Sequence, residues 1–315
     1  MKNLIICIVF LTLVSKAAVA GLAYPTSSSE YAYATNSDTY LQSSQYLVVT
    51  RDYRGSKTGF TVDNFSLNGN FAITDSQAGI DFQDTTVTLD AGVGIRVATT
   101  DHGIVKSSNS TFNGGGMNDF VSYGYNHNNL LNELDGFRNV INALSNSDTI
   151  KTDSGKIQSK HFVYNAQPGL NVVDIDTDDN DFSIEDSTFT IDGDQSAVVV
   201  FRILNNDNML ITNSTINLSG DIESNNVLFY TDQDDNDTHF GFSNVELEGV
   251  AFWSLGDSGG EISMDNVNGC TQLIADTVDL SDVNLSTCNF APVPEPITMS
   301  LLAFGSLGVL KRRRR

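Results

Sequence analysis

Asp186-Ser187-Thr188-Phe189-Thr190-Ile191 is followed, 27 residues on, by Asn213-Ser214-Thr215-Ile216-Asn217-Leu218. Looser copies follow at Ser243-Asn244-Val245-Glu246-Leu247, Asp265-Asn266-Val267 and Ser281-Asp282-Val283-Asn284-Leu285, their starts 30, 22 and 16 residues apart. Each copy opens on a small polar pair suited to a tight turn and runs into a strand with alternate residues apolar. Further strands lie between them, at Ala197 to Leu204, Val227 to Tyr230, Val250 to Trp253 and Leu273 to Ala275. A degenerate period of roughly 20 to 30 residues, built of strands and turns, predicts coils that must stack to bury their apolar faces. The expected fold class is mainly β, an irregular right-handed β-solenoid. A β-sandwich fits the alternation almost as well and stands as the alternative.

The pattern extends towards the N-terminus. Phe65, Leu67, Phe71 and Ile73, then Val87 and Leu89, then Ile95 and Val97, alternate with small polar residues. One amphipathic helix breaks the run over about 129–146. Leu130, Leu134, Phe137, Ile141 and Leu144 recur at helical spacing, with Leu131 and Val140 widening the stripe and Asn128 or Asn129 as cap. Gly136 weakens this helix by up to about 1 kcal/mol relative to alanine. The continuous apolar run Ala197 to Leu204 (AVVVFRIL) is that of a strand covered on both faces, and the helix is expected to cover such a flank. Residues 21–60, rich in Ser, Thr and Tyr, read as an exposed lead-in, and 61–291 as the β-rich body.

The chain has 315 residues, with 17 Lys and Arg against 39 Asp and Glu, a formal net charge of -22. Seven of the bases sit at the ends (Lys2, Lys16, Lys311 and Arg312 to Arg315), so the rest of the chain sets 38 acids against ten bases. Such a surface repels phosphate backbones and excludes direct nucleic-acid binding. Four His and three Cys are poor material for a zinc or haem site, while 18 Phe and 10 Tyr argue against disorder.

The ends carry address signals. Met1-Lys2-Asn3, the apolar run Leu4 to Val14 and the A-x-A site Ala18-Val19-Ala20 read as a secretory signal peptide over residues 1–20, cut before Gly21. At the other end Pro292-Val293-Pro294-Glu295-Pro296 precedes the apolar stretch Ile297 to Leu310, read as a membrane helix, and the basic run Lys311 to Arg315. Fourteen apolar residues are short for a permanent span, which needs about 20, and suit a transient hold with the basic cluster left in the cytoplasm.

In order and spacing the tail resembles the PEP-CTERM sorting signal, also known as the ice-binding protein C-terminal domain. Pro294, Glu295 and Pro296, with Arg312, Arg313, Arg314 and Arg315, carry the likeness. The resemblance implies recognition by an exosortase, cleavage near the Pro-Glu-Pro motif, and release or re-anchoring at the surface of a Gram-negative bacterium that makes exopolysaccharide. Within residues 130–290, the helix, Leu170-Asn171-Val172-Val173, the Ser196 to Phe201 strand and Asn225-Asn226-Val227-Leu228-Phe229 resemble the choice-of-anchor A family. Ala197 to Phe201, Asn226 to Phe229 and Gly249 to Phe252 are also similar to the ice-binding β-solenoid family. Both resemblances imply an exported, non-catalytic body.

Candidate chemistry in the body is sparse. Cys270 and Cys288 remain after the signal peptide leaves and suit a disulfide in an oxidising compartment, with two free thiols as the alternative. Asp174, Asp176, Asp178 and Glu185 fall at positions 1, 3, 5 and 12 of an EF-hand-like spacing, but Asp179 stands where glycine is needed. This leaves a looser calcium site there, or at Asp232, Asp234, Asp235 and Asp237, against the alternative of solvated turn acids. No other cofactor is expected. His102, His127, His161 and His239 share no catalytic motif, and no catalytic residue is assigned. Thr86-Val87-Thr88 and Thr188-Phe189-Thr190 are T-x-T pieces of the kind an ice-binding face needs. The later repeats carry Thr215/Asn217, Asn244/Glu246 and Asn266/Asn268 instead, so the pieces do not recur in register.

The functional expectation is a non-enzymatic surface or extracellular-matrix protein, exported, held transiently in the inner membrane and processed by signal peptidase and an exosortase. Exopolysaccharide is its expected partner. A carbohydrate- or ice-binding adhesin is the first alternative and a polysaccharide-active enzyme the second.

Overall fold

A computed structural model of the chain describes residues 46–51, 60–63, 66–89, 93–103, 105–151, 155–176, 181–203, 208–231, 239–253 and 260–287. Every strand pairing among them is parallel, and the strands stack as three faces of a β-solenoid. A sandwich of antiparallel sheets is thereby replaced.

One face stacks Asp148–Lys151, Gly169–Asp176, Ala197–Ile203 and Val227–Thr231, then the C-terminal parts of His239–Trp253 and Glu261–Ala275. It continues with Tyr46–Thr50, Asn70–Ile73, Ile95–Val97 and Val121–Ser122. A second face stacks Lys156–Gln158, Phe182–Glu185, Met209–Thr212, the starts of the two long strands, Thr277–Ser281, Phe60–Asp63, Ile80–Gln83 and Val105–Ser108. The third holds His161–Asn165, Thr188–Gly193, Thr215–Gly220, the middles of the long strands, Asn284–Ser286, Ser66–Asn68, Thr86–Thr88 and Thr111–Phe112. The coils that come first in the chain therefore stack on the coil that comes last, with Val48 beside Leu273 and Leu67 beside Leu285.

The polar turn pairs explain the corner between the second and third faces. Ser159, Asp186, Asn213, Asn244, Asn266, Asp282, Asp84 and Asn109 all hold left-handed backbone there, with φ between 47° and 55°. Asn and Asp tolerate this region better than other side chains bearing a Cβ. Their amides form a ladder: Asn213 Nδ2 donates to Asp186 Oδ1 at 3.2 Å, Asn244 to Asn213 at 3.0 Å and Asn266 to Asn244 at 2.7 Å. The next residue turns inward. Ser187 and Ser214 are buried, each donating its hydroxyl to the carbonyl two residues back, while Ser214 Oγ accepts the Ser187 N–H from the adjoining coil. Where that position is Val245, Val267 or Val283, it joins the apolar core.

Inside, alternate residues of all three faces form one continuous apolar core. Aromatic rings follow one another up its axis, Phe189 tilted against Phe201 at 5.4 Å and Phe201 stacked on Phe229 at 5.4 Å, with Phe240 stacked against Trp253 at 4.6 Å. Tyr46–Thr50, inside the expected lead-in, is buried at every position. Tyr46 to Val49, set between Gln45 and Thr50, is too short an apolar run to stand out, and burial on both sides leaves no alternation to read.

The helix Asn128–Ala143 covers the first face. Phe137 stacks on Phe252 at 6.0 Å, and the Tyr230 hydroxyl donates to Asn142 Oδ1 at 2.9 Å. Leu130, Leu134, Phe137 and Ile141 are buried as the spacing requires, each contributing roughly 1.5–3 kcal/mol before ordering costs. Residue 127 rather than 128 or 129 holds the cap position, and Asn126 Oδ1 accepts the Asn128 N–H at 2.8 Å. The strand Ala197–Ile203 lies beneath the helix and is covered on both sides, as its apolar run requires.

Candidate functional site

With the first face closed by the helix, binding surface is left on the second and third. On the second face Leu210, Gly241, Ser263 and Asp279 stand side by side on four successive strands. A parallel row one pleat away carries Thr212, Ser243, Asp265 and Ser281. Gly241 contributes no side chain, so the surface dips between Leu210 and Ser263 into a shallow groove of about 390 Å³. A Cβ at Gly241 would lie 3.1 Å from Leu210 Cδ2 and 3.2 Å from His239 Cε1. The glycine thus lets the His239 ring lean across its own strand and hydrogen-bond Ser263 Oγ through Nε2. The His239 backbone N–H donates to Asn208 Oδ1 at 2.6 Å, which fixes the same residue from the other side. Lone histidines gave no motif in the sequence. Only the register, which sets residue 241 beside 263, reveals this cluster.

On the third face, the column His161, Thr188, Thr215, Glu246, Asn268, Asn284, Ser66, Thr86 and Thr111 runs up the stack. The two T-x-T pieces share this face although about a hundred residues separate them. The repeat register changes accordingly: Thr215 pairs with Glu246, not Asn244, because Asn244 is the left-handed corner residue equivalent to Asn213. Glu246 and Asn268 interrupt the hydroxyl column, and Thr190 is itself buried.

The proposed calcium ligands serve other partners. Asp174 Oδ1 accepts from Arg202 Nε at 2.7 Å, Asp176 pairs with Lys151 at 3.3 Å, and Glu185 pairs with Lys156. Asp174 and Asp176 lie on the helix-covered face and Glu185 on the second, so the structure does not bring these three together. Asp178, and the second cluster at Asp232, Asp234, Asp235 and Asp237, fall outside the described residues. Among the described residues, no group of three or more His, Cys, Asp or Glu side chains is placed to hold a metal. Arg202 is a clamp: its Nη1 donates to the carbonyls of Ile141 at 3.1 Å and Leu144 at 2.9 Å, at the negative end of the helix dipole. Cys270 is disulfide-bonded, and Cys288 lies outside the described residues.

At the other end of the helix, His127 is buried beside Tyr125 at a ring distance of 5.0 Å. Burial lowers its pKa to about 4, and the Arg96 charge adds to this while the Arg96 backbone carbonyl nearby opposes it. Arg96 itself lies 4.5 Å from the Tyr125 ring centroid and donates to the Tyr46 hydroxyl at 2.8 Å. Burial raises the Tyr46 pKa against that hydrogen bond.

Ala18, Ala20 and Gly21, at the expected signal-peptide cut, and the whole tail with Pro294, Glu295, Pro296 and Arg312 to Arg315, lie outside the described residues. No helix among the described residues is long and apolar enough to cross a membrane. Residues 292–315 match the PEP-CTERM protein-sorting motif. That motif implies an exported protein with a C-terminal membrane-anchoring signal, processed by an exosortase. No curated protein matches the chain. Among solved structures, a glycosylated ice-binding protein from an Arctic yeast is similar at 12% identity and a TM-score of 0.48, over 81% of this chain and 94% of that one. An ice-binding protein from an Antarctic biological consortium matches at 14% identity and a TM-score of 0.44, over 84% and 92%. The ice-binding protein 1 domain of Shewanella frigidimarina matches at 14% and 0.43, over 78% and 95%. At TM-scores this low the likeness carries no argument about function.

Proposed function

We propose that this is a non-catalytic envelope or extracellular-matrix protein: exported, held briefly in the inner membrane by its tail, and cut by an exosortase near Pro294-Glu295-Pro296. The observation that carries the reading is the match of residues 292–315 to the sorting motif. The solenoid supports it. Its side chains are spent on stacking and on corner ladders, which suits a rigid body presenting long faces rather than a reaction centre. Intact-mass analysis of the exported protein tests the proposal. Residues 297 to 315 should be missing, and Glu295→Gln should leave uncut protein in the inner membrane. Exported protein that keeps the tail overturns the reading.

A second reading, ice binding, draws on the column of hydroxyls at Thr188, Thr215, Ser66, Thr86 and Thr111 on the third face. Glu246 interrupts that array. Measurable thermal hysteresis, abolished by Thr86→Lys, supports it, and no hysteresis at millimolar protein removes it.

A further inference from the structure

We infer that the helix Asn128–Ala143 is a hinged lid, fixed to the solenoid at its C-terminal end and released at its N-terminal end when His127 takes up a proton. The inference goes beyond the sorting proposal and does not rest on it. The two ends of the helix are held by different chemistry. At the C-terminal end the Arg202 guanidinium donates to the carbonyls of Ile141 and Leu144, and the Tyr230 hydroxyl donates to Asn142. Both side chains come from strands of the first face. At the N-terminal end the cap residue is His127, whose side chain makes no capping bond. The residue is 4% exposed, and neither ring nitrogen has a hydrogen-bond partner among the described residues.

Such a ring is stable there only while it is neutral. A buried cation without a partner is costly, and the N-terminal end of a helix carries partial positive charge that repels an imidazolium. Arg96, from the first face, adds a second positive charge, and its backbone carbonyl nearby favours the proton without outweighing burial. Tyr125 lies against the ring, and Tyr46 accepts from Arg96. Glu133 is the buried acid of the helix, and its charge is felt at Tyr46. Lifting the first turns puts the imidazole in water, where its pKa returns from about 4 to 6.5. By linkage, lowering the pH from 7 to 5 then favours the lifted form by about twentyfold. Most carboxylates remain ionised at pH 5, so the effect belongs to the imidazole. Leu130 and Leu134 are buried on the same turns, and lifting bares them on an otherwise acidic body.

The test is hydrogen exchange, expressed as protection factors, on the exported and processed protein at pH 7 and pH 5. Protection of residues 128–136 should fall about twentyfold, while residues 137–143 and the strand Ala197–Ile203 keep theirs. His127→Phe and His127→Gln, neutral at both pH values, should show no such fall. Equal protection of 128–136 at the two pH values overturns the inference, as does the same fall in either variant. A loss that begins in 137–143 overturns the hinge. Where neither variant folds, the imidazole NMR signal of His127 in the native protein decides the matter. It should still be that of the neutral ring at pH 5, and a titration midpoint near 6.5 overturns the inference.

Discussion

Replacing Arg202 by methionine tests whether the helix is clamped to the solenoid as described. The guanidinium is buried, its side chain 11% exposed, and it makes one bond to Asp174 and two to helix carbonyls. Methionine keeps much of the volume and removes every donor. Asp174, 14% exposed, is then left as a carboxylate without its guanidinium, a change that costs about 3–5 kcal/mol when one partner of a buried pair is removed. Loss of the cation at the helix C-terminus adds roughly 0.3–1 kcal/mol. For a body of this size, about 2–4 °C of melting temperature follows each kcal/mol, so Tm should fall by roughly 7 to 24 °C. Trp253, the sole tryptophan, is fully buried against Phe240 and reports unfolding in urea. Because a solenoid can lose one element before the rest, hydrogen exchange should show residues 128–143 opening first. The double variant Asp174→Asn with Arg202→Met removes both charges and should recover part of the loss. A loss below about 1 kcal/mol with unchanged exchange in the helix would refute the clamp.

Further outcomes follow from other residues. His127 has a folded pKa of about 4, below its ordinary 6.5, so the fold favours the neutral ring. Its contribution is complete above pH 6.5 and is lost as pH falls towards 4, by up to roughly 3 kcal/mol. Denaturant midpoints at pH 7, 5 and 4 should fall more steeply in the native protein than in His127→Phe, and parallel profiles would refute this. At the corner, Asn213→Ala should cost about 1–2 kcal/mol through left-handed strain, and Asn213→Gly distinctly less; equal losses in thermal melts would deny that backbone strain sets the cost. For the second acidic cluster expected to hold calcium, Asp232, Asp234, Asp235 and Asp237, millimolar calcium should raise Tm more than sodium chloride of equal ionic strength. Equal shifts mean screening alone.

Local features of this chain are legible in consecutive residues. Alternation gives strands because side chains leave a strand on opposite sides, and the helix stripe from Leu130 to Ile141 follows from its 3.6-residue turn. The polar pairs mark the corners because Asn and Asp accept left-handed backbone, although the copies at 243, 265 and 281 begin one residue before the left-handed position. The tail motif is likewise complete in the last 24 residues.

Everything that joins distant residues was decided by stacking. Thr50 Oγ1 donates to the carbonyl of Asp276 at 2.7 Å across 226 positions of sequence, and nothing in either neighbourhood announces the other. A parallel strand edge looks the same to any incoming strand. Which coil docks on which is settled by the fit of whole inward faces, not by a local signal. That choice brings the two threonine pieces to one face, sets Gly241 beside Ser263, and places Arg202 under the last turn of the helix. Consecutive residues carry most of the strands, the corners, the helix and the sorting motif; stacking settles which surfaces those strands compose, because long-range pairing depends on the collective burial of coils far apart in the chain.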